Sequence, residues 1–240
     1  EVLRKKAEEC RSTLYLAGEQ FTYEYTGLDG SLQTFHFKGP FRELDLSIGM
    51  KGEHQIANAA GAMMALEVLR QYMAFVMDDE DLLKGFRDTK WAGRLEEVGD
   101  SPRIVLDGAH NPEGLESLSK SLQRHYHFKQ LNLMMGMLSN KHHESSLKHI
   151  LPIVDTLILT EPDFRKKMDA DALLDIVERL KHSHGKPGLQ IIVEPDWKHA
   201  LDILKSRTEP GDLAVVSGTL YLISDVRAAL LGQTDSEKGW

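Results

Sequence analysis

Asp107 and His110 stand three residues apart on a short stretch that joins an apolar run to the start of a helix, so an acid and an imidazole share one turn. The segment reads Arg103-Ile104-Val105-Leu106-Asp107-Gly108-Ala109-His110-Asn111-Pro112-Glu113-Gly114. Its apolar half has the character of a buried strand. Its second half supplies an N-cap in Asn111, a first-turn proline in Pro112 and a carboxylate suited to the helix dipole in Glu113. Ligands of open parallel α/β sheets bind outside the carboxyl ends of the strands, where Asp107 and His110 would then project. A carboxylate there can accept from an ammonium group, and an imidazole can contact an anion or move a proton near neutral pH. The same residues also suit a purely structural turn, because cap chemistry does not specify function.

The elements that must position this turn follow from periodicity. After Trp91-Ala92-Gly93, short apolar runs alternate with amphipathic stretches. The runs are 103–107, 131–136, 156–160, 189–193 and 213–217, and the helical stretches are 112–126, 143–151, 169–182, 197–206 and 220–231. Strands with little internal alternation, each followed by a helix, predict a parallel sheet covered on both faces. Before residue 90 the pattern differs. Phe21, Tyr23 and Tyr25 alternate with polar neighbours, Phe35 and Phe37 answer across the Asp29-Gly30 turn, and Leu44, Leu46 and Ile48 form a third strand. A helix follows from His54 to about Met77, and a shorter one, capped by Asp78 or Asp79, runs to about Asp88. The fold class is therefore α/β in two parts, with the boundary between residues 89 and 95 and a polar, frayed tail from Gly232 to Trp240.

Composition narrows the function classes. Hydrophobic residues make up 41% and charged residues 28% of 240, so the chain has a core to build. Twenty-nine basic against 37 acidic residues leave a net charge of -8 with no basic tract interleaved with aromatics, which argues against nucleic acid as a partner. No apolar run reaches membrane-spanning length, so no membrane association is expected. The single Cys10 permits neither an internal disulfide nor a cysteine metal site and suits a reducing, cytoplasmic setting. The histidines, including His142-His143 and His182-x-His184, lack a matching carboxylate pattern, and no metal site is assigned.

Four segments together resemble folylpolyglutamate synthase and its bifunctional dihydrofolate synthase relatives, within the Mur ligase superfamily. Asp107 to Pro112 resembles the D-G-A-H-N-P motif, and Gly52-Glu53-His54-Gln55-Ile56-Ala57-Asn58-Ala59 resembles the segment that ends the family's central ATPase domain. Trp91 to Glu96 resembles the W-x-G-R-x-E interdomain linker, and Ser217 to Leu222 resembles the last strand-helix junction. The resemblance implies that 1–90 is the end of the central ATPase domain, carrying an antiparallel hairpin, and that 91–240 is the Rossmann-like glutamate ligase domain.

It further implies a ligase that uses ATP and Mg2+ to join L-glutamate to folate through an acyl phosphate. By position, Asn58, Arg94 and Asp107 would serve the nucleotide, Asp107 and His110 the chemistry, and His110, Ser217 and Tyr221 the glutamate. Read without the resemblance, Asn58 could cap its helix and Arg94 could pair with Glu96 or Glu97. No G-x-x-x-x-G-K-[ST] phosphate loop occurs in the chain, so the family pattern places that loop, the magnesium ligands and most of the folate pocket in a preceding N-terminal half, and this chain alone is expected to be inactive. A monomer is expected. Two departures from the pattern, Leu138 to His142 and Ser217-Gly218-Thr219, bear on substrate preference. The alternatives are a cell-wall Mur ligase, whose motif usually carries Tyr where Gly108 stands, and a non-catalytic nucleotide- or glutamate-binding module.

Overall fold

The computed structural model describes residues 1–99 and 101–233. The tail expected from Gly232 onward lies, beyond residue 233, outside the described residues. The chain divides into two compact units, Glu1–Lys90 and Trp91–Trp240.

The first unit opens with α1 (Val2–Glu9) and an antiparallel sheet in the order β1 (Thr22–Asp29), β2 (Leu32–Lys38), β3 (Glu43–Ile48). One face of the sheet is apolar at alternate positions, and Phe35, Phe37, Leu46 and Ile48 pack on Ile56, Ala60, Met63 and Met64 of α2 (Glu53–Tyr72). Helix α3 (Asp79–Asp88) begins at Asp78, whose side chain accepts from the Asp81 N–H. Of the two acids the sequence offers for that cap, Asp78 is the one used. Helix α2 starts one residue before His54 and ends at Tyr72, five residues short of the expected Met77.

The second unit holds one six-stranded sheet in the order β4 (Glu96–Val98), β5 (Ile104–Leu106), β9 (Leu213–Ser217), β6 (Leu131–Met135), β7 (Thr156–Glu161), β8 (Gln190–Asp196). Five of these strands run parallel, and the edge strand β4 pairs antiparallel with β5. Strand residues alternate between two cores. Val105, Leu133, Met135, Leu157, Leu159 and Val215 face α4 (Pro112–His125), α5 (His143–Ile150) and α6 (Ala170–His184). Leu106, Met134, Ile158 and Val216 face α7 (Trp197–Arg207) and α8 (Leu220–Leu231).

This topology creates the opening that the sequence anticipates. Strands β5 and β9 are parallel neighbours, yet β5 sends the chain to α4 on one face and β9 sends it to α8 on the other. Segments that leave adjacent strands in opposite directions part at the carboxyl edge of the sheet, which is where ligands of such sheets bind.

Candidate functional site

Asp107 directly follows β5, and its backbone N–H still pairs with the Val216 carbonyl at 3.0 Å, so its side chain starts from a fixed point. The residue is only 7% exposed. One carboxylate oxygen accepts from the Ala109 N–H at 2.9 Å and the other from the Leu95 N–H at 3.0 Å. The acid thus ties the turn to the segment that carries Arg94. Burial pushes its pKa up to about 6, while the two backbone donors and the nearby Arg94 charge pull the other way. Desolvation outweighs all three.

His110 sits on the turn so fixed. Its Nδ1 lies 2.8 Å from the Gly108 carbonyl. A carbonyl only accepts, so in the neutral ring Nδ1 carries the proton and Nε2 presents a lone pair, with no protein partner for it among the described residues. The following helix is capped as expected, the Asn111 side chain accepting from the Gly114 N–H at 2.8 Å.

Arg94 donates to the Gly93 carbonyl at 3.1 Å, and the same carbonyl accepts from the Gly108 N–H at 2.9 Å. Gly108 leaves room for the guanidinium, since a Cβ there would meet Arg94 Nη1 at 2.4 Å and a Leu220 methyl at 2.6 Å. Neither acid proposed as a partner for Arg94 takes it. Glu96 accepts from Arg227 at 2.9 Å and from the Gly93 N–H at 2.8 Å, while Glu97 lies 2.9 Å from Arg103. The segment is also strained: Leu95 adopts φ 47°, a left-handed conformation that costs a non-glycine residue on the order of 1 kcal/mol and persists only where surrounding bonds enforce it.

The end of β9 closes the floor. Ser217 is fully buried and donates to the Ala109 carbonyl at 3.1 Å, a carbonyl that also accepts from the Gly218 N–H at 3.0 Å. Its hydroxyl, expected to hold a substrate, is committed inside the fold to the turn that carries His110. Gly218 has φ 110°, and a Cβ there would lie 2.4 Å from the Gly136 carbonyl oxygen, so glycine is required by both backbone and space. Thr219 caps α8, accepting from the Tyr221 N–H. Tyr221 is 46% exposed, and its ring stacks on Phe164 at 3.8 Å between centroids and 13° between planes.

Asp107, His110, Arg94, Ser217 and Tyr221 therefore belong to one unit and to its carboxyl edge. Asn58 belongs to the other unit. It lies in the second turn of α2, whose N-cap is Gly52, so the capping role does not hold; its amide donates to the Gln55 side chain at 3.1 Å. Sequence reasoning did not single out Phe164 or Arg227, and it offered Glu96 as a partner of Arg94 rather than of Arg227. The Glu96–Arg227 pair spans 131 residues and leaves no local signal, and Phe164 follows β7 in a loop without a motif. Among the described residues no three His, Cys, Asp or Glu side chains converge as a metal site, and no helix is long and apolar enough to cross a membrane.

Residues 93–220 match the family model described as Mur ligase, glutamate ligase domain. The chain is 28% identical over 186 residues to the dihydrofolate synthase/folylpolyglutamate synthase of Bacillus subtilis, a match covering 78% of this chain and 41% of that protein. The folylpolyglutamate synthase structure from Thermotoga maritima superposes with TM-score 0.75 at 27% identity, over 99% of this chain and 52% of that one. The Mycobacterium tuberculosis folylpolyglutamate synthase complexed with ADP superposes with TM-score 0.82 at 22% identity, over 95% and 52% of the two chains. The chain thus spans about half the length of the relatives it matches.

Proposed function

Because the chain belongs to the Mur ligase family through its glutamate ligase domain, we propose that it is the glutamate-adding part of an ATP-dependent ligase whose acceptor is a folate. The observation that carries this reading is His110, whose Nε2 lone pair stands on a turn clamped from both sides at the switch point of the sheet, with Arg94 on the adjoining segment. Relatives named as folylpolyglutamate and dihydrofolate synthases support the acceptor class.

Amide formation between a carboxylate and an amine needs a better leaving group than oxide, and ATP supplies it as a phosphoryl group transferred to the acceptor carboxylate. The residues here do the remaining work. The Arg94 guanidinium holds phosphoryl oxygens in its planar fork, using N–H groups that the Gly93 carbonyl leaves open. The ammonium of glutamate loses one proton before its nitrogen attacks the acyl carbon, and the Nε2 of His110 takes a proton as that C–N bond forms and phosphate departs. Asp107 keeps Leu95 and Ala109 in place, and so sets both Arg94 and His110. Ser217 acts on the same turn from below through Ala109. Tyr221 offers an exposed ring at the mouth for the glutamate side chain.

Asn58, on the other unit, is assigned to the adenine by resemblance alone. No three His, Cys, Asp or Glu side chains among the described residues converge on a metal position, and the family resemblance puts the magnesium ligands in the N-terminal half. The folate branch of the family fits better than the cell-wall branch, because the Arg94 side chain fills the space that a tyrosine at position 108 would need. Without a phosphate loop in its 240 residues, the chain alone should not turn over.

The test joins the N-terminal half of the Thermotoga maritima enzyme to this chain and follows radiolabelled glutamate into a reduced folate. Wild-type fusion should incorporate label. Arg94→Ala and His110→Ala should each lower kcat/KM more than tenfold, about 1.4 kcal/mol or more of transition-state stabilisation, with melting temperature unchanged. Equal turnover by all three would overturn the assignment.

A further inference from the structure

The loop that aims Arg94 is bent against the preference of its backbone. The residues on either side of Arg94 are both left-handed, Gly93 at φ 66° and Leu95 at φ 47°. Such a pair persists only where the surroundings enforce it. Asp107 enforces the second through the Leu95 N–H. The first has a separate hold, to which the ligase reading gives no task. The buried Gly93 donates its N–H to Glu96 Oε2 at 2.8 Å, and Arg227 Nε donates to both Glu96 oxygens, at 2.9 and 3.0 Å.

Both ends of this hold are fixed. Glu96 opens β4 and pairs with Leu106 of β5, so its backbone is part of the sheet. Arg227 follows Val226, which packs in the core with Ile104, Leu106 and Val216. The two side chains are 22% and 21% exposed, so water has limited access to the pair. Gly93 passes the hold on. Its carbonyl accepts from Arg94 Nη1 at 3.1 Å and from the Gly108 N–H at 2.9 Å, and the Gly108 carbonyl lies 2.8 Å from His110 Nδ1. One residue thus carries the fastening on its N–H and the guanidinium on its C=O. Glycine rotates freely where other residues do not, and rotation at Gly93 would swing the guanidinium away and loosen the turn below His110. Glu96 blocks that rotation.

We infer that Glu96 and Arg227 are positioning residues for Arg94, through which α8 holds Gly93 in the conformation that presents the guanidinium at the carboxyl edge of the sheet. The use made of Arg94 rests on the ligase reading. What is added is a determinant of its geometry on the last helix, 131 residues from the loop it sets.

Two variants of the 240-residue chain act on this hold. Arg227→Met keeps the apolar stem and removes the donor, and Glu96→Ala removes the acceptor of the Gly93 N–H. Amide hydrogen exchange and the Arg94 Nε–Hε NMR signal are read beside the melting temperature. In each variant, exchange at Gly93 and Leu95 should rise about tenfold while β6 and β9 keep wild-type protection, and the Arg94 signal should leave its wild-type position. Arg227→Lys, whose ammonium reaches the same oxygens, should behave as wild type. Either variant decides the matter if the other fails to fold. Wild-type exchange at Leu95 with an unmoved Arg94 signal overturns the inference, and so does a rise spread evenly over the second unit. In the fusion described above, Arg227→Met should lower kcat/KM about tenfold, and combined with Arg94→Ala it should cost less than the product of the two single losses. The full product means independent action and also overturns the inference. If Arg94→Ala is slow while Arg227→Met matches wild type in exchange and turnover, the inference falls and the ligase reading stands. If Arg227→Met frees Gly93 and Leu95 while Arg94→Ala turns over as wild type, the hold on Arg94 stands and the ligase reading falls.

Discussion

Replacing Asp107 by asparagine removes a buried charge without changing size, and the consequence for stability can be worked from the geometry. Burial raises the carboxyl from its ordinary 3.8 to about 6, roughly two units at about 1.4 kcal/mol each, so the ionised group costs the fold about 3 kcal/mol above pH 6. The sign follows from which state binds the proton. Between about pH 4 and 6 the unfolded chain has released it and the folded chain still holds it, so stability falls as pH rises through that window and is lowest above it. Asparagine does not titrate. It keeps one acceptor for the Leu95 and Ala109 donors and turns a donor toward the other, a cost of about 1–3 kcal/mol that is the same at every pH. The stability of wild type minus that of Asp107→Asn should therefore drop by about 2 kcal/mol between pH ~4.5 and ~7.5. Urea unfolding followed by tryptophan fluorescence measures it, because Trp91 and Trp197 belong to the second unit and residues 1–90 contain no tryptophan. A gap that stays flat within about 0.5 kcal/mol would mean that Asp107 is not a desolvated charge.

Other changes separate positioning from folding. Gly108→Ala meets only the ends of the Arg94 and Leu220 side chains, so stability should move by less than about 1 kcal/mol while ATP-analogue binding in the fused enzyme weakens more than tenfold, read by calorimetry. Gly218→Ala meets a backbone carbonyl at 2.4 Å from a left-handed φ, and should destabilise by about 3 kcal/mol or more in urea. Ser217→Ala should cost about 1 kcal/mol and no more, since the Ala109 carbonyl keeps the Gly218 N–H. Asn111→Ala should cost about 1 kcal/mol with ligase kinetics unchanged.

Much of the second unit was legible because its signals are local. Each parallel strand is a short apolar run, and capped helix starts such as Asn111-Pro112, Asp196 and Thr219 are local too. Strand β4 escaped because three residues that begin after a strained Leu95 offer no periodicity; their pairing is dictated by β5. Of the candidate site residues, all but Asn58 fall on one sheet edge of the second unit, and what each side chain bonds to was not legible. Asp107 and Ser217 have side chains of reactive type, but long-range bonds to Leu95 and Ala109 turn them inward, and spacing cannot show that. Conversely, the Phe164–Tyr221 stack joins the loop after β7 to the first turn of α8, 57 residues on, and is set only by the strand order β9-β6-β7.

The central claim is that glutamate is placed against the Nε2 of His110 at the carboxyl edge of the second unit. The most direct test is the imidazole NMR spectrum of the 15N-histidine-labelled chain under titration with L-glutamate, the His110 signal being assigned through His110→Gln. The account predicts a saturable shift of the His110 ring signals, with those of surface histidines such as His142 unmoved. A His110 signal that stays in place up to saturating glutamate, or one that moves only together with every other histidine, would contradict it.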